Sequence, residues 1–211
     1  MSERRLLTLI IALVLALVAL LFLWRPQGPA ERTHQVLELT APPQGGDFTL
    51  QGARGPVSLH DLRGRLVLLY FGYTLCPDIC PTTLIDLRHA LDRLTPDERR
   101  QVQVVFVSLD PARDTPDKLA EYVAWFDPAF IGVTGDEATV AEVARRYGVA
   151  WRKVEDASGA GYLIDHSATV YVVDAEGRLV DTLPHGLPPE RIAARLRRHL
   201  PRPANPAPSA R

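Results

Sequence analysis

Cysteine is nearly absent from the 211-residue chain, with only two, and methionine is limited to one. A disulfide framework and an all-cysteine iron–sulfur site both need more thiols, so the cysteines act as one redox or metal unit. The sole methionine is the initiator Met1, so no thioether is available to bind copper. Charge of either sign is in little excess, because 24 Lys and Arg face 25 Asp and Glu for a formal net charge of -1. Recruitment of nucleic acid or of an acidic surface by bulk charge is therefore not expected. Internal repeats are missing too, which excludes a solenoid or propeller.

Long apolar runs are scarce as well, with one exception. Leu6 to Trp24 is an unbroken apolar stretch that would span roughly 28 Å as a helix, enough to cross a bilayer. It exceeds the apolar region of a cleavable signal and lacks a small-x-small cleavage site, so residues 1–26 read as a retained signal anchor. No cysteine lies just after it to carry a lipid, since Cys76 and Cys80 are far downstream. Arg4 and Arg5 precede it and place the N-terminus inside, with the rest of the chain on the outer, periplasmic or equivalent, side of a cell membrane. Residues 27–44 read as a flexible tether, 45–200 as one globular domain and 201–211 as a disordered Pro-rich tail.

Within the domain, FTLQG and PVSLH read as short strands and RLVLLYFGY, from Arg65, as a strand buried on both faces. PTTLIDLRHALDRL follows as a helix with Pro81 at its first position. QVQVVFVSLD and FIGVTG read as further strands. TPDKLAEYVAWF is a helix capped by Thr115, and DEATVAEVARRYGV another that ends near Gly148. SATVYVVD and GRLVDTL, joined by AEG, form a hairpin, and PPERIAARLRRHL closes the domain as a helix. The order describes an α/β fold with a mixed sheet flanked by helices, the thioredoxin-like architecture with N-terminal additions.

Cys76 and Cys80 lie just after the buried strand, in FGYTLCPDICPTTL. Pro81 disfavours helical backbone at Cys80, so the expected geometry is a turn from Cys76 to Cys80 with Cys80 at the helix N-cap. Amides at a helix start favour thiolate, the reactive form both for disulfide exchange and for metal binding; Asp78 opposes this. Soft thiolates select copper or zinc, and two thiolates plus an imidazole complete a Cu(I) site but leave zinc one ligand short. Of the six histidines, His34 lies in the tether, His199 at the end of the last helix and His89 more than two turns into a helix. His166, in IDHSATVYVVD, enters the hairpin strand on the side that faces the cysteines in such a topology, with His185 a distant second. The segment DASGAGYLIDHS before it, with its small residues and glycines, is expected to move.

FGYTLCPDICP, the loop SLDPARDTP and DHSATVYVVD occur in that order and carry a resemblance to the Sco/SenC family of membrane-anchored copper chaperones for cytochrome c oxidase assembly. The resemblance covers roughly residues 45 to 200. It implies a thioredoxin-like domain that binds one copper ion, Cu(I) or Cu(II), through Cys76, Cys80 and His166. The implied partner is the binuclear copper site of oxidase subunit II, which the family fills with copper or whose cysteines it reduces. Another copper chaperone or a thioredoxin-like reductant would act upstream. Asp78 and Asp165 match acidic neighbours of the ligands and take supporting or docking roles, while Asp110 and Arg113 organise their loop. Ser167 and Ala168 stand where a thioredoxin carries a proline, which counts against ordinary thioredoxin substrate binding. Thiol–disulfide exchange at Cys76 and Cys80 is the competing activity. A peroxidase, which uses a lone activated cysteine, and a stabilising disulfide closing so short a loop fit less well.

Overall fold

The computed structural model describes residues 3–23, 36–156 and 161–201. The chain divides into two compact units between His34 and Gln35. The first contains helix α1 (Glu3–Leu23), whose described leucines, isoleucines and valines are exposed. Among the described residues, no helix is long and apolar enough to cross a membrane, so the expected span finds no support at this level. His34 and most of the Pro-rich tail lie outside the described residues.

The second unit opens with a hairpin of β1 (Thr49–Gly52) and β2 (Gly55–Ser58). There follow β3 (Leu66–Gly72), α2 (Ile79–Leu91), α3 (Pro96–Arg100), β4 (Val102–Ser108), α4 (Pro116–Ala124), β5 (Ile131–Val133) and α5 (Glu137–Arg146). A second hairpin of β6 (Trp151–Asp156) and β7 (Gly161–His166) precedes β8 (Val170–Val173), β9 (Leu179–Leu183) and α6 (Pro189–His199).

The main sheet has the order β5-β4-β3-β8-β9, with β3, β4 and β5 parallel and β8 and β9 antiparallel. Every residue of β3 and β4 is buried, as central strands covered on both faces must be. Alternation along β3 divides the core. Leu66, Leu68 and Tyr70 pack with Leu84 and Leu87 of α2 and Leu196 of α6, whereas Val67, Leu69 and Phe71 pack with Val140 and Val143 of α5. This is the mixed, two-faced sheet of the thioredoxin-like order, and it sets the end of β3 beneath the start of α2.

Three local features differ from the sequence expectation. Helix α2 begins at Ile79, with Asp78 as its N-cap residue, so Cys80 is already helical and Pro81 is the third helical residue. A first-turn residue needs no N–H for the helix ladder, so Pro81 is tolerated there despite its constraint on Cys80. The short helix α3 is an addition, closed by a capping box between Thr95 and Glu98. The segment before His166, read from sequence without regular structure, carries strand β7, paired through His166 with Trp151 of β6; residues 157–160 of that segment lie outside the described residues.

Part of the segment read as tether is bonded to the second unit. Thr40 donates to the Gly148 carbonyl at 3.0 Å and Gln44 to the Arg146 carbonyl at 2.9 Å. Gly148 ends α5 with φ +67°, and a Cβ there would lie 2.3 Å from the Ala41 carbonyl oxygen, so glycine is needed both for the turn and for this approach.

Candidate metal centre

The turn after β3 and the first turn of α2 carry the two cysteines, and the last residue of β7 carries the imidazole. Cys76 Sγ, Cys80 Sγ and one ring nitrogen of His166 all lie within 4.8 Å of one another. All three residues are buried, and both thiols are free. Cys80 donates its backbone N–H to Cys76 Sγ at 3.4 Å, so the Cys76 sulfur caps an otherwise unpaired amide of the helix start. The three residues between the cysteines thus put one sulfur on the helix and the other in front of it.

The imidazole is oriented by its own chain. His166 Nδ1 lies 3.0 Å from the Ser167 carbonyl, which can only accept, so Nδ1 carries the proton. Nε2, 3.3 Å from Cys80 Sγ, then presents a lone pair toward the sulfurs that is available to a metal. Ser167 in turn is fixed to Ala150, accepting its N–H through Oγ at 2.9 Å and donating its own N–H to the Ala150 carbonyl at 2.9 Å. Tyr70 and Tyr73 meet the ring edge-on, each with centroids 6.2 Å away. Tyr73 also accepts the Ile164 N–H through its hydroxyl at 3.1 Å, tying the cysteine side to β7.

The sulfurs differ in charge state. The Cys76 thiol is brought down to about 4, chiefly by the hydrogen bond from the Cys80 thiol, with burial opposing and the Cys80 amide adding to the effect. Complete burial, followed by the neighbouring Cys76 sulfur, pushes the Cys80 thiol up. The metal-free pair therefore holds one thiolate, on Cys76, and one proton, on Cys80. Expected opposition from Asp78 is not a leading influence; its side chain is exposed and its carbonyl accepts the Thr82 hydroxyl at 2.9 Å.

Other residues singled out from the sequence lie apart from this cluster. Asp165 pairs with Arg152 across the β6–β7 hairpin at 2.9 Å. His185 sits 2.9 Å from the Thr83 hydroxyl. His60 lies beside Asp61 and His199 beside Asp181, while His89 is exposed on α2. Asp110 and Arg113 do organise their loop, with Arg113 Nε donating to Asp110 at 2.5 Å. Sequence reasoning passed over Tyr73 and Asp114. Asp114 accepts the Thr74 N–H at 3.0 Å, a contact across 40 positions that no local pattern announces.

The donor set suits a soft ion. Two sulfurs and one imidazole lone pair converge in a largely apolar setting, and no carboxylate joins them among the described residues. A sequence profile described as SCO1/SenC matches residues 38–201. The mitochondrial SCO2 protein of Saccharomyces cerevisiae is 41% identical over 141 residues, which is 66% of this chain and 47% of that protein. A SCO2-like protein of Rickettsia conorii is 38% identical over 165 residues, covering 77% of this chain and 80% of that one. Among solved structures, Bradyrhizobium japonicum ScoI with copper bound has 39% sequence identity and a TM-score of 0.68, with 74% of this chain and 99% of that chain covered.

Proposed function

Because the chain belongs to the SCO1/SenC family, we propose that it is a membrane-tethered copper chaperone that holds one copper ion on Cys76, Cys80 and His166. The observation that carries this is the convergence of three soft donors within 4.8 Å, two free thiols and an imidazole with its lone pair turned inward. Two thiolates and a neutral imidazole satisfy Cu(I) without a fourth ligand, and bound copper in a solved relative supports the choice of ion. We assign delivery to the binuclear copper site of cytochrome c oxidase subunit II, whose thiolates can take over the ion one ligand at a time.

A reductant role is favoured by one observation, the placing of two free thiols side by side at a helix start with an imidazole 3.3 Å from Cys80 Sγ, where the Cys76 thiol is pushed down and the Cys80 thiol up. Cys76 would attack a partner disulfide, forming a mixed disulfide and releasing one partner thiolate. Cys80, giving its proton to His166 Nε2, would then attack Cys76 Sγ and release the second; the partner gains two electrons and the chain becomes a disulfide. A single assay separates the roles. Copper-loaded full chain mixed with the reduced, metal-free subunit II copper domain is expected to hand over its ion, and reduced metal-free chain mixed with the oxidised domain reports thiol exchange. No copper transfer in the first arm, with rapid reduction in the second, would replace the chaperone reading with the reductant one.

We attribute the tether to α1. Its described leucines, isoleucines and valines are exposed and need cover, and they belong to the apolar run of the sequence from Leu6 to Trp24. The full chain is expected to stay in the membrane pellet after alkaline carbonate washing. Release into the supernatant would rule out an embedded anchor.

A further inference from the structure

The cysteine turn lies outside the strands of the main sheet, and β6–β7 forms a separate two-stranded sheet that is marginal by itself. Something must therefore fix their spacing. We propose that the loop after β4, Leu109–Asp114, is a brace between the two, with Asp114 positioning the thiols and Asp110 positioning the imidazole. This rests on the copper reading for its purpose, though its geometry stands without a metal.

One arm reaches the thiols. Asp114, buried, accepts the Thr74 N–H at 3.0 Å and the Thr74 hydroxyl at 2.5 Å, two residues before Cys76. The other reaches the imidazole. Asp110, also buried, accepts the Tyr162 hydroxyl at 2.6 Å, four residues before His166. Arg113, bound to Asp110, sets its guanidinium 3.6 Å from the Tyr162 ring centroid and donates to the Tyr162 carbonyl at 2.9 Å.

The arms are joined inside the loop. The Ser108 hydroxyl donates to Asp114 at 2.7 Å and accepts the Asp110 N–H at 3.0 Å, and the Asp114 N–H donates to the Asp110 carbonyl at 2.9 Å. Lys118 of α4 completes the Asp114 carboxylate at 3.2 Å, and Leu109 bonds back to the Gly72 carbonyl at 2.8 Å. A buried carboxylate with four donors holds them in one geometry, because a shift leaves a charged bond unmade in a low dielectric. Displacing one arm therefore displaces the other.

The test reads each arm from the opposite one, in the reduced, metal-free full chain in detergent. Tyr162→Phe and Asp110→Asn are expected to speed alkylation of Cys76 by about threefold or more. Thr74→Ala is expected to speed amide exchange over Tyr162–Asp165 by a similar factor, with exchange in β3 and β4 unchanged and Thr74→Ser restoring protection. The brace is overturned if Cys76 alkylates at the wild-type rate in both β7-side variants, or if Thr74→Ala leaves β7 exchange unaltered. Cross-arm effects in a wild-type background that takes up no Cu(I) would keep the brace and sink the copper reading.

Discussion

Replacing Cys80 with serine is expected to lower the Cu(I) affinity of the full chain by about a thousandfold or more, measured by competition with a chromogenic chelator. The substitution exchanges a soft thiolate for a hydroxyl that stays protonated at neutral pH, and it leaves Cys76 and His166 as an incomplete pair. His166→Ala keeps both sulfurs, which Cu(I) accepts in near-linear geometry, so a smaller loss of about ten- to a hundredfold is expected. The order of these losses is the diagnostic. Wild-type affinity in Cys80→Ser would show that copper does not sit between the two sulfurs. The charge states add a pH signature: Cys76 is ionised above about 4, so near neutral pH only the Cys80 proton must be displaced. Affinity should accordingly fall by about tenfold per unit of acidification, steepening once Cys76 takes up its own proton.

Gly72→Ala is expected to weaken copper binding by about tenfold and to destabilise the chain by about 1–3 kcal/mol, although residue 72 offers no ligand. A Cβ at this position would lie 2.6 Å from Cys80 Sγ and 2.8 Å from the Phe106 ring, both of them buried. Neither can retreat freely. Phe106 is wedged against Tyr70 and Tyr122, with ring centroids 6.0 Å and 5.5 Å away, and Cys80 is fixed by the helix start. The sulfur is the smaller body and must move, lengthening its 3.3 Å approach to His166 Nε2. Thermal unfolding and the same copper competition test both parts. Unchanged copper affinity together with the stability loss would show that Phe106 alone yields.

The course of the fold was legible wherever one residue type decided a local question. An unbroken apolar run marked β3, and Thr115 followed by Pro116 marked the start of α4, where Thr115 accepts the Lys118 N–H as a cap should. Cys76, Cys80 and His166 could be singled out because so few other soft donors exist in the chain. The hairpin β6–β7 was not legible. Its first strand is mostly exposed and charged, with no apolar alternation to betray it, and its glycines imitate a loose loop. The cap of α3 was present as TPDE and went unread. Asp114 was out of reach for a different reason: its meaning depends on Thr74 and Ser108, and an isolated aspartate in a loop carries no trace of which distant donors it will meet.

The two sulfurs also differ in what lies outside them. Cys80 has no exposed surface, whereas Cys76 is 6% exposed and is flanked by exposed Leu75, Pro77 and Asp78. In kinetic terms the two thiols are unequal in their access to solvent. Cys76 is thus the sulfur that an incoming thiolate would meet, and Cys80 the one screened from it by the fold.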